Sequence, residues 1–167
     1  MNNRTLVLSA LQIDQRIDRI AYQIYENNYT EASLFIAGIE GRGADMASMI
    51  ADKLKKISPI EVNLITIRVN KRKPLENEAE LSVDVAQIEN GVVILVDDVL
   101  NSGKTLIYGL KRLLRVPLKR IRTVVLVDRD HKRFPIKADH VGISLSTTLQ
   151  EHVTVVLSGS EKGVYLD

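Results

Sequence analysis

The sequence predicts an α/β fold with a doubly wound, mostly parallel sheet. Apolar residues at helical spacing alternate along the chain with short β-branched runs, and glycine or proline closes several of these segments. The strongest run, Val92–Val96, is continuously apolar, as a central parallel strand buried on both faces should be. In order, Ile13, Ile17, Ile20, Ala21 and Ile24 predict an amphipathic helix over about 10–27. Ser33–Ala37 is a short strand ending at Gly38. Ala47, Ile50, Ala51, Leu54 and Ile57 mark a second helix, closed by Pro59. Ile60, Val62 and Leu64 alternate through a strand running to about Ile67, and the polar stretch 68–80, with Pro74, is a loop. Leu106, Leu110, Leu113 and Leu114 give the helix after the central strand, stopped before Pro117. Ile121–Val127 is a further buried strand, with shorter ones at His140–Ile143, Val153–Leu157 and Gly163–Leu166. No repeat or linker interrupts the pattern, so a single domain is expected over 1–167.

A chain of 167 residues with 45% apolar composition can bury a proper core. With no cysteine, disulfides, thiolate metal sites and cysteine nucleophiles are excluded. No run approaches the ~18 apolar residues of a membrane span, and the start, Met1–Leu8, lacks the pattern of a signal peptide. A cytoplasmic protein without membrane contact is expected. The net charge of +2 hides an asymmetry: residues 101–140 hold 11 Lys+Arg against 3 Asp+Glu. That local excess suits an anionic ligand, phosphate or nucleic acid, unless it is simply a solvated face.

The chemistry concentrates at 92–105. A buried strand reaches two adjacent carboxylates, Asp97 and Asp98, then a small turn, Asn101-Ser102-Gly103-Lys104-Thr105, and then a helix. Ligands of open α/β sheets sit beyond the carboxyl ends of the strands. The turn directs backbone N–H groups and the Ser102 and Thr105 hydroxyls to the positive end of a helix, which makes an anion site, and Gly103 permits close approach. Carboxylates beside a phosphate cradle need a reason, and a sugar supplies one. Asp97 and Asp98 can accept hydrogen bonds from vicinal ribose hydroxyls and stabilise positive charge at the anomeric carbon. A triphosphatase P-loop would need glycine where Asp98 stands, so that reading fails. A phospho-acceptor receiver domain would carry its acid pair near the N-terminus. The bland alternative is a capped helix after a strand, with its two aspartates merely solvated. Gly38-Ile39-Glu40-Gly41-Arg42-Gly43 joins a strand to a helix and offers a second anion cradle, in which Gly41, Arg42 and Gly43 suit a diphosphate, or else an ordinary glycine turn.

Val96-Asp97-Asp98-Val99-Leu100-x-Ser102-Gly103-Lys104-Thr105 resembles the diphosphosugar signature of type I phosphoribosyltransferases. Val125–Lys132, Pro135–Gly142, Gly38–Gly43 and Arg19-Ile20-Ala21 extend the likeness over nearly the whole chain. More narrowly, the chain resembles the bifunctional pyrimidine-operon attenuator/uracil phosphoribosyltransferase family. The resemblance implies a type I phosphoribosyltransferase fold with a small hood, formed by the N-terminal segment and the 128–143 region. It implies transfer of 5-phosphoribosyl from its 1-diphosphate to a nucleobase, best read as uracil. Mg²⁺ would be carried mainly by the substrate, with no metal site of the protein's own. A homo-oligomer, dimer or higher, is expected. The 40–43 loop would take the diphosphate, and Arg68, Lys71, Arg72 and Lys73 would belong to a loop covering it. Residues 128–143 would form the base pocket, in which Val141 and Ile143 pack on the base and backbone groups near Gly142 read its amide edge.

Asp128 stands where purine-using relatives place a lysine, which favours a pyrimidine. His131 and His140 are candidate acid/base groups, though each reads more readily as a surface histidine. Two departures stand out: Asn101 occupies the place of an aspartate or tyrosine in relatives, and Ile143-Ser144 replaces Lys-Asn. A purine phosphoribosyltransferase and a nucleotide-sensing RNA-binding regulator remain alternatives, the latter with Tyr22 and Tyr25 as its few aromatic candidates for stacking on RNA bases.

Overall fold

The computed structural model describes residues 4–167, so Met1, Asn2 and Asn3 of the N-terminal stretch lie outside it. Strand β1 (Thr5–Ser9) runs directly into helix α1 (Ala10–Asn28). The junction is fixed by a reciprocal cap: Ser9 accepts from the Gln12 N–H while the Gln12 side chain accepts from the Ser9 N–H. Then follow β2 (Ser33–Ile39), α2 (Arg42–Ile57), β3 (Glu61–Arg68), β4 (Glu80–Leu81) and a 3₁₀ turn (Val85–Ile88). The chain continues through β5 (Val92–Leu100), α3 (Lys104–Leu113), β6 (Arg120–Asp128), β7 (His140–Ser144), β8 (Val153–Val156) and β9 (Gly163–Leu166).

The main sheet has the order β4-β3-β2-β5-β6-β7. All its pairings are parallel except that of the short edge strand β4. Alternation along β5 shows why its sequence is apolar throughout. Val92, Ile94 and Val96 pack with α1 and α2, whereas Val93 and Leu95 pack with Leu106 and Leu113 of α3. Helix α2 lies very close to β2, since a Cβ on Gly38 would fall 2.6 Å from Ala44 Cα.

Three expectations are corrected. The central strand runs on to Leu100 because β6 accompanies it, pairing Asp97 with Val125 and Leu100 with Asp128. The two aspartates therefore sit inside a ladder rather than beyond its end. The hood is a separate antiparallel sheet, β1-β9-β8, built from both ends of the described chain. The 128–143 region does not join it, since 140–144 forms β7 of the main sheet. The polar stretch 68–80 is not loop throughout: it ends in β4, whose pairing with Ile67 and Arg68 depends on backbone bonds that side-chain polarity does not reveal.

Candidate active site

Strand β2 is flanked by β3 on one side and β5 on the other, so the winding of the sheet reverses between β2 and β5. Loops leaving the carboxyl ends of these two strands diverge there and leave a crevice. Both sequence motifs open into it. A cavity of about 330 Å³ is lined by Arg42, Lys71, Asp97, Asp98, residues 99–106, Arg129, His152 and Val153.

The cradle on one side is the turn into α3. Gly103 adopts φ 84°, a left-handed conformation natural to glycine, and caps the helix. A Cβ there would lie 2.5 Å from Ile136 Cγ2. The Ser102 hydroxyl accepts from the Lys104 N–H at 3.2 Å, and the Ser102 carbonyl accepts from Arg133 and Phe134 N–H at 2.8 and 3.1 Å. The turn is thus braced from behind by the segment after β6. The N–H groups of Thr105 and Leu106 fall in the first helical turn, which lacks intrahelical acceptors. Together with the positive helix end they suit a phosphate.

The carboxylates form the floor. Asp97 is only 5% exposed, and its Oδ1 accepts from the Asp98 N–H at 2.9 Å. Burial, reinforced by the charge of Asp98, pushes the Asp97 carboxyl up from its ordinary 3.8 to about 8. A Cβ on Gly43 would stand 2.9 Å from Asp97 Oδ1, so glycine at 43 keeps α2 close to this carboxylate. Asp98 is less buried, and its Oδ2 lies 3.1 Å from Arg42 Nε. Arg42 also donates from Nη1 to the Val155 carbonyl at 3.3 Å, linking the site to the hood.

A second cavity, about 370 Å³, is lined by Asn101, Ser102, Arg129, His131, Arg133, Leu149 and His152. Four residues, Asn101, Ser102, Arg129 and His152, line both cavities. Arg129 is 7% exposed. Its Nε donates to Thr147 Oγ1 at 3.1 Å and its Nη2 to the carbonyls of Thr148 and Glu151 at 3.3 and 2.6 Å. It thereby holds the 145–152 loop against the end of β6. His131 Nε2 lies 2.7 Å from the Thr147 carbonyl oxygen, bracing the same loop.

The structure brings Asp97, Asp98, Asn101, Ser102, Gly103, Lys104, Thr105 and Arg42 together at one cavity. Gly41 and Gly43 flank Arg42, Gly41 with φ 93° as the cap of α2. Val141, Gly142 and Ile143 line neither of the two cavities. They lie within β7, where Arg16 and Arg19 of α1 donate to the Gly142 carbonyl and Arg19 also to that of Val141. Gly142 is packed so closely on β6 that a Cβ would lie 2.5 Å from the Leu126 carbonyl oxygen. Asp128 is occupied by Lys132 at 3.4 Å and by the Asp130 N–H at 3.0 Å. His140 is half-buried in β7, and burial lowers its pKa. Of the basic loop, Lys71 reaches the first cavity, whereas Arg68 is paired with Glu40. Sequence reading put the base pocket at 128–143, a span that includes Arg129 without singling it out, and missed His152. Arg129 stands inside a charged run, Asp128-Arg129-Asp130, that closes the apolar stretch Val124–Val127, and nothing local distinguishes it from its neighbours; His152 carried no signal either, since it arrives on the segment leading into β8.

Residues 6–157 match the phosphoribosyl transferase domain family. A protein of Ligilactobacillus salivarius named bifunctional protein PyrR is 36% identical over 161 residues, with 89% of each chain covered. The protein of that name from Bacillus subtilis is 32% identical over 169 residues, covering 94% of this chain and 92% of the other. Among solved structures, a hypoxanthine phosphoribosyltransferase of Trypanosoma cruzi superimposes with a TM-score of 0.78 at 18% identity, covering 97% of this chain and 95% of the other. One from Staphylococcus aureus gives 0.75 at 19% identity, covering 94% and 85%. At such identities the two structures establish a shared fold.

Proposed function

Because the chain belongs to the phosphoribosyl transferase domain family, we propose that it joins a nucleobase, uracil in preference to a purine, to 5-phosphoribosyl-1-diphosphate with release of diphosphate. The observation that carries this is one cavity holding a glycine-turn anion cradle, two adjacent carboxylates and an arginine. In this reading Asn101–Thr105 hold the 5-phosphate. Asp97 and Asp98 accept from the ribose hydroxyls, and Asp98, joined by Asp97 once its carboxyl is ionised, stabilises the cationic character that grows at the anomeric carbon as its bond to diphosphate breaks. Arg42, with Gly41 and Gly43, receives the departing diphosphate. The base, whose nitrogen forms the new bond to that carbon, lies towards Arg129, His131 and His152 rather than Val141–Ile143. Catalysis is then positional and electrostatic.

Among the described residues no cluster of three His, Cys, Asp or Glu is placed to hold a metal ion. Two carboxylates on the cavity floor nevertheless fit Mg²⁺ that brings most of its ligands on the substrate's hydroxyls and diphosphate. Asp97 and Asp98 would contact it, and the ion would supply charge compensation for the leaving group.

The preference for uracil rests on the resemblance to uracil-using relatives and on the end of β6. Asp128, engaged by Lys132 and the Asp130 N–H, offers no donor to a purine 6-oxo group. Losing such a charge-assisted bond costs ~1.5–3 kcal/mol, roughly tenfold to a hundredfold in specificity. Comparing kcat/KM for uracil, hypoxanthine and guanine tests this, and a purine winning would overturn the pyrimidine assignment. Arg42→Ala is expected to weaken diphosphate-bearing ligands more than tenfold, about the worth of a charged hydrogen bond, while nucleoside monophosphates change little. Equal losses in calorimetric titrations would make Arg42 merely structural.

The resemblance to pyrimidine-operon attenuators carries a second reading, RNA binding by the basic stretch. Several of its charges are offset: Arg115 by Glu78, Lys119 and Arg120 by Glu31, Arg122 by Asp139 and Lys132 by Asp128. Lys111, Arg112, Arg133 and Lys137 are in none of these pairs, so RNA binding by this surface should still release counterions and its affinity should fall steeply with salt. Filter binding with no preference for pyrimidine-operon leader RNA over an unrelated RNA would dismiss it.

A further inference from the structure

Besides Arg42, a second arginine stands at the 40–43 loop, and it too is held by a carboxylate of the chain. Arg68, the last residue of β3, donates from Nε and Nη2 to the two carboxylate oxygens of Glu40 at 2.9 and 3.0 Å. This is the paired, side-on geometry in which a guanidinium takes two oxygens of a phosphate. Glu40 is fixed in place by its own N–H, which donates to the Ile67 carbonyl at 2.8 Å, and Gly41 follows it directly. A cavity of about 520 Å³ is lined by Glu40, Arg68, Lys71 and Glu80 among others, and Lys71 lines the catalytic cavity as well. An acidic side chain at the mouth of a diphosphate subsite opposes the ligand that the subsite should bind. The pair is also well solvated, with side chains 65% and 50% exposed, so it adds little to the stability of the fold.

We propose that Glu40 is a built-in competitor for the diphosphate: its carboxylate occupies the Arg68 fork while the subsite is empty and yields it when a diphosphate group arrives. This deepens the proposed function and rests on it. Glu40 thereby lowers the affinity for diphosphate without touching the Asn101–Thr105 cradle, and so favours departure of that product. Arg68 still contributes to binding, but only after exchanging one anion for another.

The test is calorimetric titration of wild type, Glu40→Gln, Arg68→Ala and the double variant with inorganic diphosphate and with uridine monophosphate, at fixed Mg²⁺ and salt. Glu40→Gln should bind diphosphate about two- to fivefold more tightly, the worth of one exposed ion pair. Uridine monophosphate should change less than about twofold. Arg68→Ala should weaken diphosphate, and the gain from Glu40→Gln should shrink in its background. Unchanged diphosphate affinity in Glu40→Gln would overturn the proposal, as would an equal gain for uridine monophosphate. So would weaker diphosphate binding in the presence of Mg²⁺, which would make Glu40 a partner of the metal. Failure of wild type to bind either ligand would instead overturn the phosphoribosyl reading beneath it.

Discussion

Replacing Asp97 and Asp98 together by asparagine is expected to lower turnover by at least about a thousandfold, since groups aimed at charge developing in a transition state are commonly worth 10²–10³ each. The fold should persist, and at pH 8 the variant should be more stable than wild type. Asp97 sits in the β5 ladder, 5% exposed, with Gly43 packed against its carboxylate. Burial and the neighbouring Asp98 charge raise its pKa from 3.8 to about 8. Between those values the folded protein keeps a proton that the unfolded chain has released. Stability contributed by this group is therefore full below about 3.8 and is lost as pH rises towards 8. Asparagine has no such proton, so the pH dependence of Tm over this window should flatten. Thermal melts across pH 5–9 on both proteins, with circular dichroism at 25 °C, read the effect. A double variant that unfolds, or that retains turnover, would contradict the assignment of these carboxylates to ligand rather than fold.

Gly103→Val should cost both stability and phosphate binding. Gly103 holds φ 84°, where a β-branched residue is strained by more than the ~1–2 kcal/mol typical of left-handed backbone. Its new Cβ would also meet Ile136 Cγ2 at 2.5 Å and the Phe134 carbonyl oxygen at 3.4 Å. Ile136 is buried, so it cannot simply swing away. A loss of ~2–4 kcal/mol is expected in urea unfolding. Relief of the clash would push apart Ser102 and the Arg133 and Phe134 N–H groups that brace it, so uridine monophosphate should bind more than about tenfold less tightly, the worth of a charged hydrogen bond. Gly103→Ala keeps the strain but adds less bulk, and should fall between the two. If Gly103→Val bound the nucleotide normally, the turn would not be the phosphate cradle.

The convergence of the segment proposed to hold the phosphate on one cavity was legible because strand, acid pair, glycine turn and helix start are contiguous, so local geometry nearly determines their juxtaposition. The apolar continuity of Val92–Val96 likewise revealed a strand buried on both faces. What escaped was non-local. The extension of β5 to Leu100 depends on β6 lying beside it. The second cavity, where we place the base, depends on Arg129 and on a loop some twenty residues further along. The resemblance points to Val141–Ile143 as a pocket wall, whereas they lie in β7, with the Val141 and Gly142 carbonyls accepting from Arg16 and Arg19 of α1. The ion pairs of the basic stretch were not legible either, since Glu31 and Glu78, its partners, come from distant segments.

The way Arg129 holds the loop from 145 to 152 has a bearing on how such a protein changes over time. Two of its three bonds to that loop go to main-chain carbonyls, of Thr148 and Glu151, and only one to a side chain. An anchor that grips peptide oxygens is indifferent to the residues carrying them. The loop can therefore exchange its side chains through successive generations and still be delivered to the same place, with the phosphate cradle and the acid pair undisturbed. Arg129 and His131 thus hold the loop chiefly by its backbone, so that, Thr147 apart, the residues of the loop can vary without moving it from the rim of the second cavity.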